Sequence, residues 1–91
     1  MTNDVRDNSA RQRFELDAEG HVAFSEYMRA DGVIEIRHTE VPPALNGKGI
    51  GSRLVRGLLD LVRAEGVKVR PRCPFVRGYI EKHPEYADLV A

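Results

Sequence analysis

The stretch VPPALNGKGIGS, residues 41–52, decides how the rest of the chain is read. Pro42-Pro43 stops any strand that leads into it, because proline offers no amide hydrogen to a sheet ladder and restricts the residue before it. From Ile50 onward the apolar residues fall at Leu54, Val55, Leu58, Leu59 and Val62, with Arg53, Arg56, Asp60 and Arg63 facing away. That spacing predicts an amphipathic helix of about four turns. Gly47, Gly49 and Gly51 therefore alternate where a helix begins. A helix N-terminus presents unpaired amide hydrogens and about half a unit of positive charge, and glycines let an anion approach without a Cβ in the way. Lys48 and Arg53 add positive charge, while Asn46 is an ordinary helix-capping type. Local physics leaves two readings open here: a phosphate cradle, or glycines that simply allow a tight turn.

Upstream of the junction, Phe14 and Leu16 alternate with charges, and Asp17-Ala18-Glu19-Gly20 supplies a turn. Val22, Phe24 and Met28 mark the alternation of a second strand. Asp31-Gly32 is another hairpin signal, since glycine accepts positive φ, and Val33-Ile34-Glu35-Ile36 opens a third strand. Downstream, Gly66 stands where a left-handed C-cap belongs, and Val67-Lys68-Val69-Arg70 alternates as a short strand. A right-handed crossover makes this strand a parallel neighbour of the one before the helix. Pro74 suits the first position of a last helix through Phe75, Val76, Tyr79 and Ile80, ended by His83-Pro84. The expected class is α+β: an antiparallel β-meander followed by β-α-β-α. Residues 1–11 are polar and aperiodic and are expected to form a flexible N-terminus, leaving residues 12–91 as one domain.

The 91 residues suffice for one small core, and 42% hydrophobic with 31% charged residues is ordinary for a soluble globular chain. Lys plus Arg equals Asp plus Glu, 14 of each, so no overall field points toward nucleic acid or an anionic membrane. Cys73 is the lone cysteine and cannot form an intrachain disulfide, and the N-terminus is too polar for a secretory signal. A cytoplasmic location is expected, and no metal site.

Two common phosphate motifs can be tested directly. A Walker loop needs glycine, four residues, then Gly-Lys-Ser/Thr; Pro42 stands where the first glycine belongs, and Gly49 follows Lys48. A dinucleotide fingerprint needs glycine at Ser52, given Gly47 and Gly49, and sits in a longer parallel unit. Both fail, which leaves a pyrophosphate held by a glycine loop after a meander.

At this point Asn46-Gly47-Lys48-Gly49-Ile50-Gly51 resembles motif A of the GNAT acetyltransferases, Gln/Arg-x-x-Gly-x-Gly/Ala. Asn46 stands where that family usually has Gln or Arg, which moves the weight to backbone amides. The resemblance continues through His38-Thr39-Glu40-Val41-Pro42, Cys73-Pro74-Phe75-Val76 and His83-Pro84-Glu85-Tyr86, over residues 13–90, and is to the very small GNAT-like domains. It implies a minimal GNAT fold with a mixed, splayed sheet, and acetyl-coenzyme A as cofactor. The strand near Val41 would pair with the pantetheine arm. Lys48, Gly49, Gly51 and Ser52, within the motif from Asn46 through Ile50 to Ser52, would meet the pyrophosphate, and Gly47 would shape the turn. The splay would set the ends of residues 37–41 and 67–72 around the thioester, with His38 and Cys73 at those ends.

The implied reaction is acetyl transfer to a primary amine. Such an amine has a reference pKa near ~10.4, is mostly protonated at neutral pH, and needs a base. His38, with a reference value of about 6.5, is the first candidate, and Glu40 competes. His38 shares its alternation with Ile34 and Ile36, so it also reads as a hydrogen-bonded histidine on a half-buried sheet face. Cys73 precedes the last helix among Arg70, Arg72 and Arg77, where helix dipole and cations favour the thiolate, though cysteine also fits a strand end as a small apolar residue. Tyr79 falls near the tyrosine that protonates the departing thiolate in many GNAT enzymes, and equally suits the core. Typical GNAT chains place two helices between their first strands where this chain has only Asp17-Ala18-Glu19-Gly20. The acceptor side should therefore be open, which is compatible with a small-molecule, peptide or protein amine, or with a wall borrowed from a second copy in a homodimer. The alternatives are a non-catalytic acyl-coenzyme A-binding or sensor module, and an interaction domain that binds no coenzyme.

Overall fold

Four antiparallel strands and a parallel fifth make one sheet, in a computed structural model that describes residues 3–91. The strands are β1 (Arg6–Asn8), β2 (Arg13–Ala18), β3 (His21–Ala30), β4 (Val33–Glu40) and β5 (Lys68–Pro71), in spatial order β1-β2-β3-β4-β5. Helix α1 (Ile50–Glu65) crosses from β4 to β5, and α2 (Pro74–Lys82) follows β5. Short 3₁₀ turns occupy Pro43–Leu45 and Pro84–Leu89.

Both hairpin turns use positive φ at two successive residues, Glu19 and Gly20 in one, Asp31 and Gly32 in the other. That is the turn whose twist matches the flanking strands. Gly66 ends α1 with φ 79°, and its amide donates to the carbonyls of Val62 and Arg63, as a left-handed C-cap requires. The core is continuous: Phe14, Leu16, Ala23, Tyr27, Ile34, Ile36 and Val69 of the sheet pack on Leu54, Leu58, Leu59 and Val62 of α1 and on Val76 and Ile80 of α2. Both helices thus share one face of the sheet. Among the described residues no helix covers the other face, and none is long and apolar enough to cross a membrane.

Three expectations need correction. The N-terminal segment joins the fold: Met1 and Thr2 lie outside the described residues, but β1 pairs with β2, and Val5 is buried against Gly57 of α1. Its attachments are mostly polar, which is why its hydropathy reads as loose chain. Tyr27 donates its phenol hydrogen to Asp7, Asn3 Nδ2 donates to the Gly57 carbonyl at 2.8 Å, and Arg6 pairs with Glu15 at 2.6 Å.

The inward face of β3 is carried by Ala23, Ser25 and Tyr27, while Val22 and Phe24 lie half-buried on the outer face and Met28 is exposed. The bulkier outward residues misled the alternation. Finally, β4 carries an extra residue. Glu26 pairs with His38 but Tyr27 pairs with Ile36, so Arg37 forms a β-bulge and reverses the facing of every residue after it. His38 is therefore exposed on the outer face, and Thr39 takes the inward direction expected for His38.

Guanidinium groups cover the outer face around Phe24 and Glu15. Arg13 lies over the Phe24 ring at 4.4 Å and donates to Glu15 at 2.5 Å, and Asn8 and Arg6 also donate to Glu15, which is 3% exposed. Burial pushes the Glu15 carboxyl up, but the hydrogen bonds from Arg13, Asn8 and Arg6 outweigh it and hold it below the usual carboxylate range. A depressed carboxyl contributes stability above its unfolded pKa that is lost as pH falls through the folded value. Glu15→Gln should therefore lower the urea midpoint at pH 7, and the gap from the parent protein should close as pH drops below about 4. Equal gaps at pH 7 and pH 3 would show that Glu15 is not held as a carboxylate.

Candidate functional site

The parallel ladder between β4 and β5 ends abruptly. Ile36 pairs with Pro71, and the amides of Arg72 and Cys73 both donate to the Ile36 carbonyl at 3.0 Å. Beyond that point β4 runs on to Glu40 while the chain after β5 turns into α2, so the side of β4 toward β5 carries no further backbone partner among the described residues. The sheet splays where the resemblance implies.

The start of α1 lies against Phe75 at the start of α2. Gly49 is the N-cap, with φ 70°, and no side chain caps the helix. The first inward bond runs from the Arg53 amide to the Gly49 carbonyl at 3.1 Å. The amides of Ile50, Gly51 and Ser52 therefore have no helical carbonyl to bond. A Cβ at Gly47 or Gly49 would meet nothing within 4 Å, so the space beside each of these glycines is open. Positive φ at both glycines explains their type. An anion fits here: donors are uncapped and nothing fills the approach.

The other predicted loop residues divide by what their atoms can reach. Ile50 is buried, so only its amide is available, and the Asn46 amide is already bonded to the Pro43 carbonyl. Val41 packs its side chain on the core. Lys48 is drawn to Glu19 of the first hairpin at 2.7 Å, and Arg53 to Asp4 at 3.2 Å. Gly51 answers a different need, because a Cβ there would lie 2.7 Å from Cζ of Phe75, the half-exposed second residue of α2. Ser52, Pro74, Phe75, Gly78, Tyr79, Lys82 and His83 line a cleft of about 320 Å³ between the starts of the two helices.

Cys73 is the N-cap of α2 and is 5% exposed. Burial pushes its thiol up, but the Thr39 hydroxyl and the amides of Val76, Phe75 and Thr39 outweigh burial and bring it below the ordinary cysteine value. The arginines credited from the sequence do not do this: Arg72 binds Glu35 at 3.1 Å, and Arg77 reaches the Pro71 carbonyl at 3.5 Å. Cys73 Sγ lies 3.4 Å from Thr39 Oγ1, which lies 2.8 Å from Ser25 Oγ. Neither hydroxyl stood out in the sequence, since their meeting depends on the bulge at Arg37.

The four candidate chemical residues are not gathered in one place. His38 and Glu40 are exposed on the outer face, 3.5 Å apart, with the His38 ring edge-on to Phe24 at 6.4 Å. Cys73 is on the core side. Tyr79 stacks on His83 at 4.1 Å in the interhelical cleft, and among the described residues it shares no hydrogen bond with Cys73, Thr39 or His38. Burial pushes its phenol up, so it stays protonated.

Comparisons with known proteins agree with the fold. Residues 13–89 match the family model described as GCN5-related N-acetyl-transferase. The chain is similar to Protein NATD1 of Gallus gallus, 35% identical over 52 residues covering 57% of this chain and 47% of that protein. Protein NATD1 of Danio rerio is 26% identical over 92 positions, covering 94% and 83%. The chain spans about half the length of the first of these relatives. Its fold superposes on the NMR solution structure of a GCN5-like protein from Staphylococcus aureus with a TM-score of 0.71 and 27% identity, covering all of this chain and 91% of the other.

The contact between Gly51 and Phe75 can be tested directly. Gly51→Ala should swing the ring away from α1 and remove the nuclear Overhauser contacts between residue 51 and the Phe75 ring. Stability should change by less than about 1 kcal/mol, because the ring is half-exposed and alanine is the better helix former.

Proposed function

The chain belongs to the GCN5-related N-acetyltransferase family, and from that membership we propose that it transfers an acetyl group from acetyl-coenzyme A to a primary amine, holding the coenzyme on residues 41–52. The observation that carries this reading is the uncapped start of α1 after a left-handed Gly49, with open space beside that glycine. The amides of Ile50, Gly51 and Ser52 would bind the pyrophosphate, with Lys48, Gly49 and the Asn46 side chain around it and Gly47 turning the loop. The backbone of β4 up to Val41 would pair with the pantetheine arm.

When bound, the coenzyme supplies a thioester carbonyl as the electrophile. The uncovered outer face of the sheet is where an amine can arrive, whether from a small molecule, a peptide, a protein or a second copy of this chain. His38, backed by Glu40, faces that side and takes the ammonium proton; Glu40 is the alternative acceptor. Cys73 borders the gap from below, where its sulfur, Thr39 and the first amides of α2 form a polar rim. Tyr79, kept protonated, is the donor on the interhelical side. Direct transfer needs no covalent acyl-enzyme. The separation of His38 from Cys73 across β4 favours this over a nucleophile–base pair, and it is also the feature that supports a second reading, a non-catalytic acyl-coenzyme A-binding module.

Acetyl-coenzyme A at about 100 times its dissociation constant should raise the melting temperature by about 10 °C or more. Gly49→Asn and Gly49→Asp separate charge from strain, since both side chains tolerate positive φ. The Asn variant should keep much of the rise and the Asp variant should lose it. No rise in the parent protein at millimolar coenzyme would defeat coenzyme binding altogether. In acetyl-transfer assays over amine mixtures read by mass, His38→Ala should cut turnover by about 10²-fold. Binding without transfer to any amine would favour the non-catalytic module.

A further inference from the structure

Resting on that reading of the site, we propose that Thr39, backed by Ser25, is a positioning residue that aims the Cys73 sulfur at the gap where β4 and β5 part. Ser25 is completely buried, and a buried hydroxyl without a partner costs free energy that alanine or valine would avoid. Its side-chain partner is Thr39, opposite it across the β3–β4 ladder at 2.8 Å. Thr39 in turn is the side-chain partner of Cys73 at 3.4 Å. Three polar side chains from β3, β4 and the N-cap of α2 thus form one chain that runs from the buried sheet face to the mouth of the splay.

The chain exists because of the Arg37 bulge. Without the bulge Thr39 would face outward opposite Phe24, and Cys73 would lose its hydroxyl partner. The chain also has two consistent directions. With a neutral thiol, sulfur donates to Thr39 and Thr39 donates to Ser25. With a thiolate, Ser25 donates to Thr39 and Thr39 donates to sulfur, beside the amides of Phe75 and Val76. Two hydroxyl rotations convert one into the other with no movement of the backbone. A sulfur held this way keeps its aim in both protonation states, which a sulfur packed only among apolar groups would not.

Cys73 is the chain's single cysteine, so the Cβ carbon shift of protein labelled with ¹³C-cysteine reports its ionisation alone. The titration uses the whole chain without coenzyme, so it stands even if coenzyme binding fails. The parent midpoint should lie below the ordinary value of about 8.5. Thr39→Val, which keeps the shape and removes the hydroxyl, should raise it by about 1 pH unit or more, since a hydrogen bond to a charged group is lost. Thr39→Ser should restore it to within a few tenths of a unit, and Ser25→Ala should give a smaller rise. An unchanged midpoint in both Thr39→Val and Ser25→Ala would overturn the proposal. Should Thr39→Val fail to fold, Ser25→Ala and Thr39→Ser decide it: no rise in the first, or a rise in the second equal to or above it, contradicts the assignment.

Discussion

The Ile36 carbonyl accepts two amides at once, from Arg72 and Cys73, and in doing so it closes the parallel ladder between β4 and β5. One residue later the Arg37 bulge bends β4. Between them these two features hold the strands apart past the middle of the sheet, although both strands are anchored in a shared core at Ile34, Ile36 and Val69. A backbone edge left unpaired in a small domain is ordinarily a liability. Here it lies within a fold whose next elements are two helix N-termini, those of α1 and α2. The start of α1 meets Phe75 of α2, and the N-cap of α2 meets Thr39 of β4, so polar backbone donors of three elements lie near one another, and a ligand with carbonyls, amides and phosphates is the chemical counterpart of such an arrangement.

Charge at this site is local. The chain's acidic and basic side chains balance, and the lysine and arginine nearest the α1 start are engaged by Glu19 and Asp4. These pairs are exposed, so each contributes little and yields readily to a stronger anion. The durable attraction comes from oriented amides, which need no rearrangement and which the glycines leave uncovered. That division suits the departure at Asn46: where the side chain is shorter than the family's usual Gln or Arg, the proposed binding rests on the backbone.

Much of the fold was legible in the sequence, and the illegible parts have physical causes. Pro42-Pro43, the glycine-ended helix and the Asp31-Gly32 turn act through local backbone rules, so α1, α2 and the meander could be read directly. The N-terminal strand was missed because it is held by Asn3, Arg6 and Asp7 rather than by apolar periodicity. On β3 the larger apolar side chains Val22 and Phe24 point away from the core, Phe24 beneath Arg13, while smaller Ala23 and Ser25 point in. At the site, His38 drew attention as a titratable residue in step with Ile34 and Ile36. A bulge leaves no mark in composition, so the exchange of His38 for Thr39 on the inner face, and the Ser25–Thr39–Cys73 chain that follows from it, had no sequence signal.

The central claim is that the gap beyond Ile36 and the open start of α1 together receive the coenzyme. A titration of coenzyme A into ¹⁵N-labelled protein, followed amide by amide, tests it most directly. The account predicts that the largest shifts fall on Gly49, Ile50, Gly51 and Ser52 and on residues 37–41, with the outer ends of β2 and β3 unmoved. Shifts confined to other surfaces, or a saturable response that spares both the α1 start and the end of β4, would contradict it.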